Sequence, residues 1–265
     1  MKNEKKVFGT YEWAVTNANY ISGCSNNCKY CYSREMAIRF KRKTSANWHI
    51  EEVNQSQFNK KFRKVDGFIM FPSSHDITPK HLNQTIIFLE KLLVENNHVL
   101  IVTKPHFKVI EAICDKFQNY KNNILFRFTI GSCDSNILKF WEPDAPSYNE
   151  RKKCLIYAYN NGYATSISCE PILDNKTESL VKDLEEYITN FIWIGKANFL
   201  LRRLKMNGVS DKETIDSANK LIASQSNNSI KKLYKVLEDN PKIKWKESIK
   251  RILNIEVATI KGLDE

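Results

Sequence analysis

Cys24, Cys28 and Cys31 lie in the run Gly-Cys-Ser-Asn-Asn-Cys-Lys-Tyr-Cys-Tyr, a C-x3-C-x2-C spacing with an aromatic residue just before the third cysteine. Three thiolates on one short loop can ligate three irons of a [4Fe–4S] cube and leave the fourth iron open to another ligand. Two other uses of three cysteines compete with this one. Structural zinc takes four closed ligands, usually in C-x2-C pairs, and no fourth cysteine or histidine lies nearby, the next histidine being His49. A buried-thiol role fits poorly with so polar a loop. A site-differentiated cluster is the expected occupant, and a non-catalytic iron–sulfur or zinc protein is the alternative from a different class.

Elements able to hold such a loop follow along the chain. Ala18 to Gly23 reads as a first strand, and Tyr32 to Lys43 as a helix. The apolar run Val65 to Phe71 ends in the polar loop Pro72-Ser73-Ser74-His75-Asp76-Ile77-Thr78-Pro79. Lys80 to Glu95 carries Leu82, Ile86, Leu89 and Leu93 at helical spacing. Strands over 99–103, 124–130, 163–169 and 191–194 alternate with helices over 107–117, 147–161 and 178–187. The segment 131–146 reads as a loop, and beyond 194 only helical or irregular segments are expected, including 212–224, 230–238 and 245–253. Alternating strand and helix argue for a parallel α/β architecture. About six units fall short of the eight of a closed barrel. The fold expected is a partial (β/α)6 barrel of TIM type over residues 1–205, with a C-terminal helical cap over 206–265. Active sites of such sheets gather at the C-terminal ends of the strands, so the loops starting at Cys24, Pro72, Lys104, Gly131, Glu170 and Gly195 should face one cavity.

Composition sets the surroundings. The chain has 265 residues, 42% hydrophobic and 27% charged, as expected of a globular protein. No apolar run approaches the roughly 18 residues that would span a membrane, and the charged N-terminus leads into no apolar signal segment, so a cytoplasmic protein is expected. Seven cysteines, an odd number, do not read as a disulfide framework. The net charge of +11 invites a nucleic-acid partner, but it rests on 32 lysines against 9 arginines, alongside 27 asparagines. That balance reads as general composition, because arginine is the better phosphate and base reader. A nucleic-acid partner is possible but not favoured.

At the cysteine run the chain resembles the radical S-adenosylmethionine (SAM) superfamily, whose motif is C-x3-C-x-aromatic-C after the first strand of a partial barrel. The resemblance implies that SAM chelates the open iron, that one electron from a donor such as flavodoxin or ferredoxin cleaves its sulfonium, and that a 5′-deoxyadenosyl radical then takes a substrate hydrogen. Phe126 to Ile130, Glu142-Pro143, Pro146-Ser147, Arg151, Gly162-Tyr163 and Val102-Thr103-Lys104 are similar to the spore photoproduct lyase group over roughly residues 18–175. There a lysine after the third strand lies near the SAM carboxylate, and Lys104 matches it. Ser74-His75-Asp76 takes the place of that group's Ser-Asp-Pro. Ser73 stands where the lyases carry a cysteine, and its O–H bond is too strong to donate a hydrogen atom easily. The Gly-Gly-Glu of the superfamily is absent, which leaves Ser73 and Ser74 to meet the SAM amine.

Other candidates follow from position and from the resemblance. Tyr30 is expected against the adenine, and Tyr32 at the cavity, where it either packs or relays a hydrogen atom. His75 and Asp76 end a strand and are expected to contact SAM or substrate. Arg127, a charge inside an apolar strand, needs a partner, and a carboxylate is expected, either Glu142, Glu170 or that of SAM. Thr129 and Ser132 end one strand and are candidate ligands for the SAM ribose or carboxylate, and Glu170 ends another and is a candidate ligand for the SAM ribose or the substrate. Cys114, Cys133, Cys154 and Cys169 read as core thiols. The resemblance implies a lyase acting on a modified nucleobase or nucleoside, and the short chain favours a small-molecule substrate. Queuine lyases, which release 7-aminomethyl-7-deazaguanine from queuine, are a compact group of that type. The alternative with the same chemistry is nucleic-acid repair or modification.

Overall fold

The computed structural model describes residues 6–262, so the charged N-terminal residues 1–5 noted above lie outside the described residues. A 3-10 turn at Gly9–Glu12 precedes β1 (Thr16–Asn17) and β2 (Ile21–Ser22). The cysteine loop leads into α1 (Tyr32–Arg39), and β3 (Glu52–Val53) returns to pair antiparallel with β2. After the single turn α2 (Gln55–Phe58) the chain alternates through β4 (Phe68–Phe71), α3 (Leu82–Leu93), β5 (His98–Thr103), α4 (Phe107–Lys116) and β6 (Ile124–Thr129). It continues through α5 (Ser135–Trp141), α6 (Tyr148–Asn160), β7 (Ala164–Cys169), α7 (Thr177–Leu184) and β8 (Ile192–Ile194). The last elements are α8 (Leu200–Met206), α9 (Lys212–Ser224), α10 (Asn227–Leu237), β9 (Ile243–Trp245) and α11 (Glu247–Leu253).

Seven strands form one parallel sheet in the order β1-β4-β5-β6-β7-β8-β9. Strands that pair in chain order, joined by helices, make the singly wound arrangement of a partial barrel. The two-residue period of a strand divides the apolar residues between two faces. Ile69, Phe71, Val99, Ile101, Phe126, Phe128, Ile167 and Ile192 join the helices in the main core. Met70, Leu100, Leu125 and Trp193 face the other way, where Trp13 and Ala14 cover them. The 3-10 turn is tied to the far edge strand. Lys246 Nζ lies 2.8 Å from Glu12 Oε1 and donates to the Gly9 carbonyl at 3.1 Å, and the Glu247 N–H donates to Glu12 Oε2 at 3.2 Å.

The partial-barrel fold expected from the sequence is present, with one more strand in its parallel sheet than expected and a separate two-stranded pair, β2–β3. β9 lies in a stretch read as irregular or helical, and its side chains explain why it is a strand. Ile243 and Trp245 are buried against the main core while Lys244 is not, and pairing to Ile192 and Ile194 satisfies its backbone. The strand entering the cysteine loop is also divided. Only Thr16–Asn17 joins the sheet, whereas Ile21–Ser22 turns away to pair with β3. The first helix stops at Arg39, short of the expected Lys43, and α5 forms inside the expected loop 131–146 because Asp134 accepts from the Asn136 and Ile137 N–H groups and caps it. Among the described residues, no helix is long and apolar enough to cross a membrane.

Candidate active site

The cysteine loop begins with a backbone constraint. Gly23 has φ of +95°, and a Cβ there would stand 2.3 Å from the Ile50 carbonyl oxygen. Only glycine allows that approach. It lets the Cys24 N–H donate to the Trp48 carbonyl at 2.9 Å. Glu51 then holds the next residue, accepting from the Ser25 N–H and hydroxyl at 3.0 and 2.9 Å and from the Thr78 hydroxyl at 2.9 Å. At its far end the loop becomes α1, with Cys31 as N-cap, its sulfur accepting from the Arg34 N–H at 3.4 Å.

Cys24 and Cys28 are buried and Cys31 partly so. Burial pushes all three thiols up, and the charges of Asp76, Cys28 and Cys31 raise Cys24 further. The three sulfurs therefore form one electrostatic group, unfavourable as thiolates until a cationic partner is present. An iron–sulfur cluster is such a partner, and the donor set fits it. Among the described residues, no three His, Cys, Asp or Glu side chains converge on a single metal ion, these three cysteines included. A cube would meet its cysteines at separate corners, so three thiols need not converge on one point to hold it. Cys114, Cys154 and Cys169 are buried and Cys133 is half-buried.

Lys104 follows the end of β5 and faces this group. Its burial opposes the charge, but Cys28, Tyr30, Asp76 and Glu142 outweigh that and raise its pKa well above the usual lysine value. Asp76 is the anchor. Its Oδ1 accepts from the Thr103 hydroxyl and the Lys104 N–H, both at 2.7 Å, while Oδ2 accepts from Asn26 Nδ2 at 2.9 Å and lies 3.6 Å from Lys104 Nζ. Burial would raise this carboxyl, yet Lys104 and the three donors hold it below the ordinary range. Asn26 comes from the cysteine loop, so Asp76 joins that loop to the end of β5.

Tyr30 is fixed from the opposite side. Its hydroxyl donates to Glu142, which is ion-paired with Arg151, and both acid and base side chains are fully buried. Arg151 also donates to the Pro146 and Thr129 carbonyls at 2.9 and 3.0 Å. Thr129 therefore meets the site through its backbone, by way of Arg151, Glu142 and Tyr30. Asn207, fully buried in the turn between α8 and α9, donates from Nδ2 to the carbonyls of both Lys29 and Cys31 at 3.0 Å. Lys29 Nζ donates to Thr214 Oγ1 at 2.9 Å. The C-terminal segment thus grips the cysteine loop directly.

The loop after β4 is held by Asn19. Its Oδ1 accepts from the Ser73 and Ser74 N–H groups at 2.8 and 2.9 Å, and its Nδ2 donates to Ser73 Oγ at 2.8 Å. Tyr32, half-exposed at the mouth, donates its hydroxyl to the Ser73 carbonyl. Glu170, at the end of β7, lies 3.7 Å from the buried Lys246 ammonium, with 29% of its side chain open. Ser132 donates to Asp174 and accepts from the Asp134 N–H at 2.8 Å, which places it in the turn beside Cys133.

Two expected residues sit away from this group. His75 turns inward against Tyr20 and Phe71, with ring centroids 5.6 and 6.1 Å away, and its Nδ1–H donates to the Asp76 carbonyl at 2.9 Å. Burial pulls its pKa down to about 4. Arg127 lies on the concave face between Trp13 and Trp193, and the expected carboxylate partner is absent among the described residues. Its Nε donates to Ser166 at 3.0 Å and Nη2 to Asn190 at 3.4 Å, while the two indole faces lie 4.7 and 5.2 Å from the guanidinium carbon. These π faces replace an anion, and burial lowers the group to about 9. Sequence reading missed Asn19, Asn26, Asn207, Glu51 and Lys246. The asparagines had been absorbed into the general lysine- and asparagine-rich composition.

No family model matches the sequence, and no curated protein matches it either. Solved structures match its fold. A spore photoproduct lyase variant with dinucleoside spore photoproduct superposes with a TM-score of 0.57 at 12% identity, over 92% of this chain and 79% of that one. A second variant, with AdoMet and the dinucleoside photoproduct bound, gives 0.51 at 16% identity, over 78% and 64%. SuiB from Streptococcus suis, bound to S-adenosylmethionine, gives 0.54 at 12% identity, over 94% of this chain and 54% of SuiB, so the chain spans about half of SuiB's length. Spore photoproduct lyase and SuiB are radical SAM enzymes, and this chain has their partial-barrel fold.

Proposed function

We infer that this protein is a radical SAM enzyme, a lyase acting on a modified nucleobase or nucleoside, with queuine as the first substrate to offer. The observation that carries the chemistry is the packing of three thiols, two buried and one partly so, as one group beside Lys104, at the C-terminal ends of a parallel half-barrel. Cys24, Cys28 and Cys31 would hold a [4Fe–4S] cluster, which when bound supplies the electron for reductive cleavage of the SAM sulfonium.

The chain's own residues do the rest by position. Lys104, fixed by Asp76, offers its ammonium to the SAM carboxylate. Tyr30 is kept protonated by burial and by Glu142, so it holds the loop by donating rather than adding a charge there. Tyr32 and Ser73 tie α1 to the loop after β4 at the mouth. Asp76 is engaged by three hydrogen bonds and the Lys104 ammonium, whereas Glu170, 29% open and 3.7 Å from Lys246, keeps spare acceptor capacity. A carboxylate there suits the N–H-rich edge of a guanine-like base, which supports a purine-related substrate and the release of 7-aminomethyl-7-deazaguanine. A flavodoxin or ferredoxin is the proposed reductant.

Anaerobic reconstitution with iron, sulfide, SAM and reduced flavodoxin should yield 5′-deoxyadenosine, and Cys28→Ala should abolish it. Cleavage that survived Cys28→Ala would refute the cluster assignment. Cleavage without any change in queuine would reject that substrate.

A further inference from the structure

The chain leaves β8 through Gly195-Lys196-Ala197-Asn198-Phe199 and enters α8. Lys196 to Phe199 of this loop, Arg202 of α8, Ile222 of α9 and Gln225 line a cavity of about 360 Å³, within the size range of small-ligand sites. It flanks the candidate active site. Gly195 packs so closely on Glu170 that a Cβ there would lie 2.9 Å from Glu170 Cγ.

Three features of the cavity have no use in the machinery described so far. Phe199 has φ of +54° and is 65% exposed. A bulky residue in the left-handed region is an outlier of the kind that structures retain at ligand contacts. Its ring is also held in place, because the Arg202 guanidinium lies 4.5 Å from the ring centroid and is itself paired with Glu35 at 3.0 Å. Lys196 is half-buried, and no ion pair or hydrogen bond engages its ammonium among the described residues; burial alone lowers its pKa. Its backbone is fixed, since its N–H donates to Ser248 at 3.2 Å and the next N–H to Gln225 at 2.8 Å. An anchored aromatic face and an uncompensated cation share one cavity, and together they call for a ligand that is both planar and anionic.

We propose that this cavity binds a nucleoside monophosphate, with Lys196 on the phosphate and Phe199 stacked on the base. This assignment rests on the reading that the half-barrel acts on a nucleobase-type substrate. It extends that reading by adding a nucleotide form of such a base to the ligands the protein takes.

Equilibrium dialysis of the reconstituted protein tests it, with GMP, guanosine and inorganic phosphate as probes. GMP should bind about tenfold or more tighter than guanosine, as a charge-assisted contact provides. Lys196→Gln should erase that preference and Lys196→Arg should keep it, which separates loss of charge from misfolding. Phe199→Ala should weaken GMP and guanosine together, by about fivefold or more. Equal binding of GMP and guanosine, or a preference that survives Lys196→Gln, would overturn the assignment. So would inorganic phosphate competing as well as GMP, which would mean anion binding without base recognition. A 5′-phosphorylated single-stranded tetranucleotide that outcompeted GMP would replace the mononucleotide with the end of a strand. SAM cleavage by the unaltered protein is measured alongside. Its absence with the GMP preference intact would refute the proposed chemistry alone, and its presence without the preference would refute the cavity assignment alone.

Discussion

Arg151→Met is the most direct probe of how the site is held. Arg151 and Glu142 both have fully buried side chains, and Glu142 also accepts from the Tyr30 hydroxyl between Cys28 and Cys31. Removing the guanidinium leaves a carboxylate in a dry interior with one neutral donor, and breaking a buried pair in this way costs about 3–5 kcal/mol. The Pro146 and Thr129 carbonyls lose their donor as well, so the upper half of that range is expected. For a chain of this size each kcal/mol lowers Tm by about 2–4 °C, which puts the loss at about 10 °C or more. Thermal and urea unfolding of the cluster-free protein measure it. Adding Glu142→Gln to Arg151→Met should restore much of the loss, because the stranded charge is what costs most. A loss under about 1 kcal/mol for the single variant, or a double variant no more stable than the single one, would refute the view that this pair is the buried support of Tyr30. Iron bound after reconstitution should fall in the single variant, since the cysteine loop loses that support.

Three further outcomes are expected. His75 is held neutral by burial, with its pKa pulled from about 6.5 when unfolded to about 4 in the fold, so the unfolded chain takes up a proton that the fold refuses. Its contribution is complete above pH 6.5 and falls as pH drops toward 4, by about 2 kcal/mol between pH 6.5 and 5. His81 and His106 shift in the same direction, so urea unfolding across that window should show His75→Phe flattening part of the slope; an unchanged slope would contradict the assignment. Lys104→Met should weaken SAM binding by about tenfold or more, the worth of a charge-assisted contact, as read by equilibrium dialysis of the reconstituted protein, and unchanged affinity would remove Lys104 from the SAM site. Asn207→Leu keeps the volume but strips the donor from the Lys29 and Cys31 carbonyls, at about 1–3 kcal/mol; bound iron and the visible spectrum of the reconstituted protein should change with it, and an unaltered spectrum with full iron content would show that the grip does not position the loop.

The sequence by itself determined the frame and pointed to the candidate site. A three-cysteine spacing is local, so Cys24, Cys28 and Cys31 were legible within eight residues, and strand–helix alternation gave the parallel partial barrel because each unit writes its own periodicity. Lys104 was placed at a strand end by the apolar run before it, but its proposed role came from the resemblance of Val102-Thr103-Lys104 to the spore photoproduct lyase group. What only the tertiary structure decided was which side chains meet. Arg127 has the same sequence surroundings whether it faces a carboxylate or two indoles, and only the packing of Trp13 against Trp193 chose the indoles. His75 and Asp76 are neighbours in the chain, yet one turns into an aromatic core and the other anchors Lys104. β9 is three residues long and gains its stability from its partner β8. Asn207 holds a loop 176 residues away in the chain, and its amide is one of 27 asparagines that composition alone could not tell apart. Hydrogen bonds and ion pairs act over a few ångströms of space, and only folding makes residues so distant in sequence into neighbours.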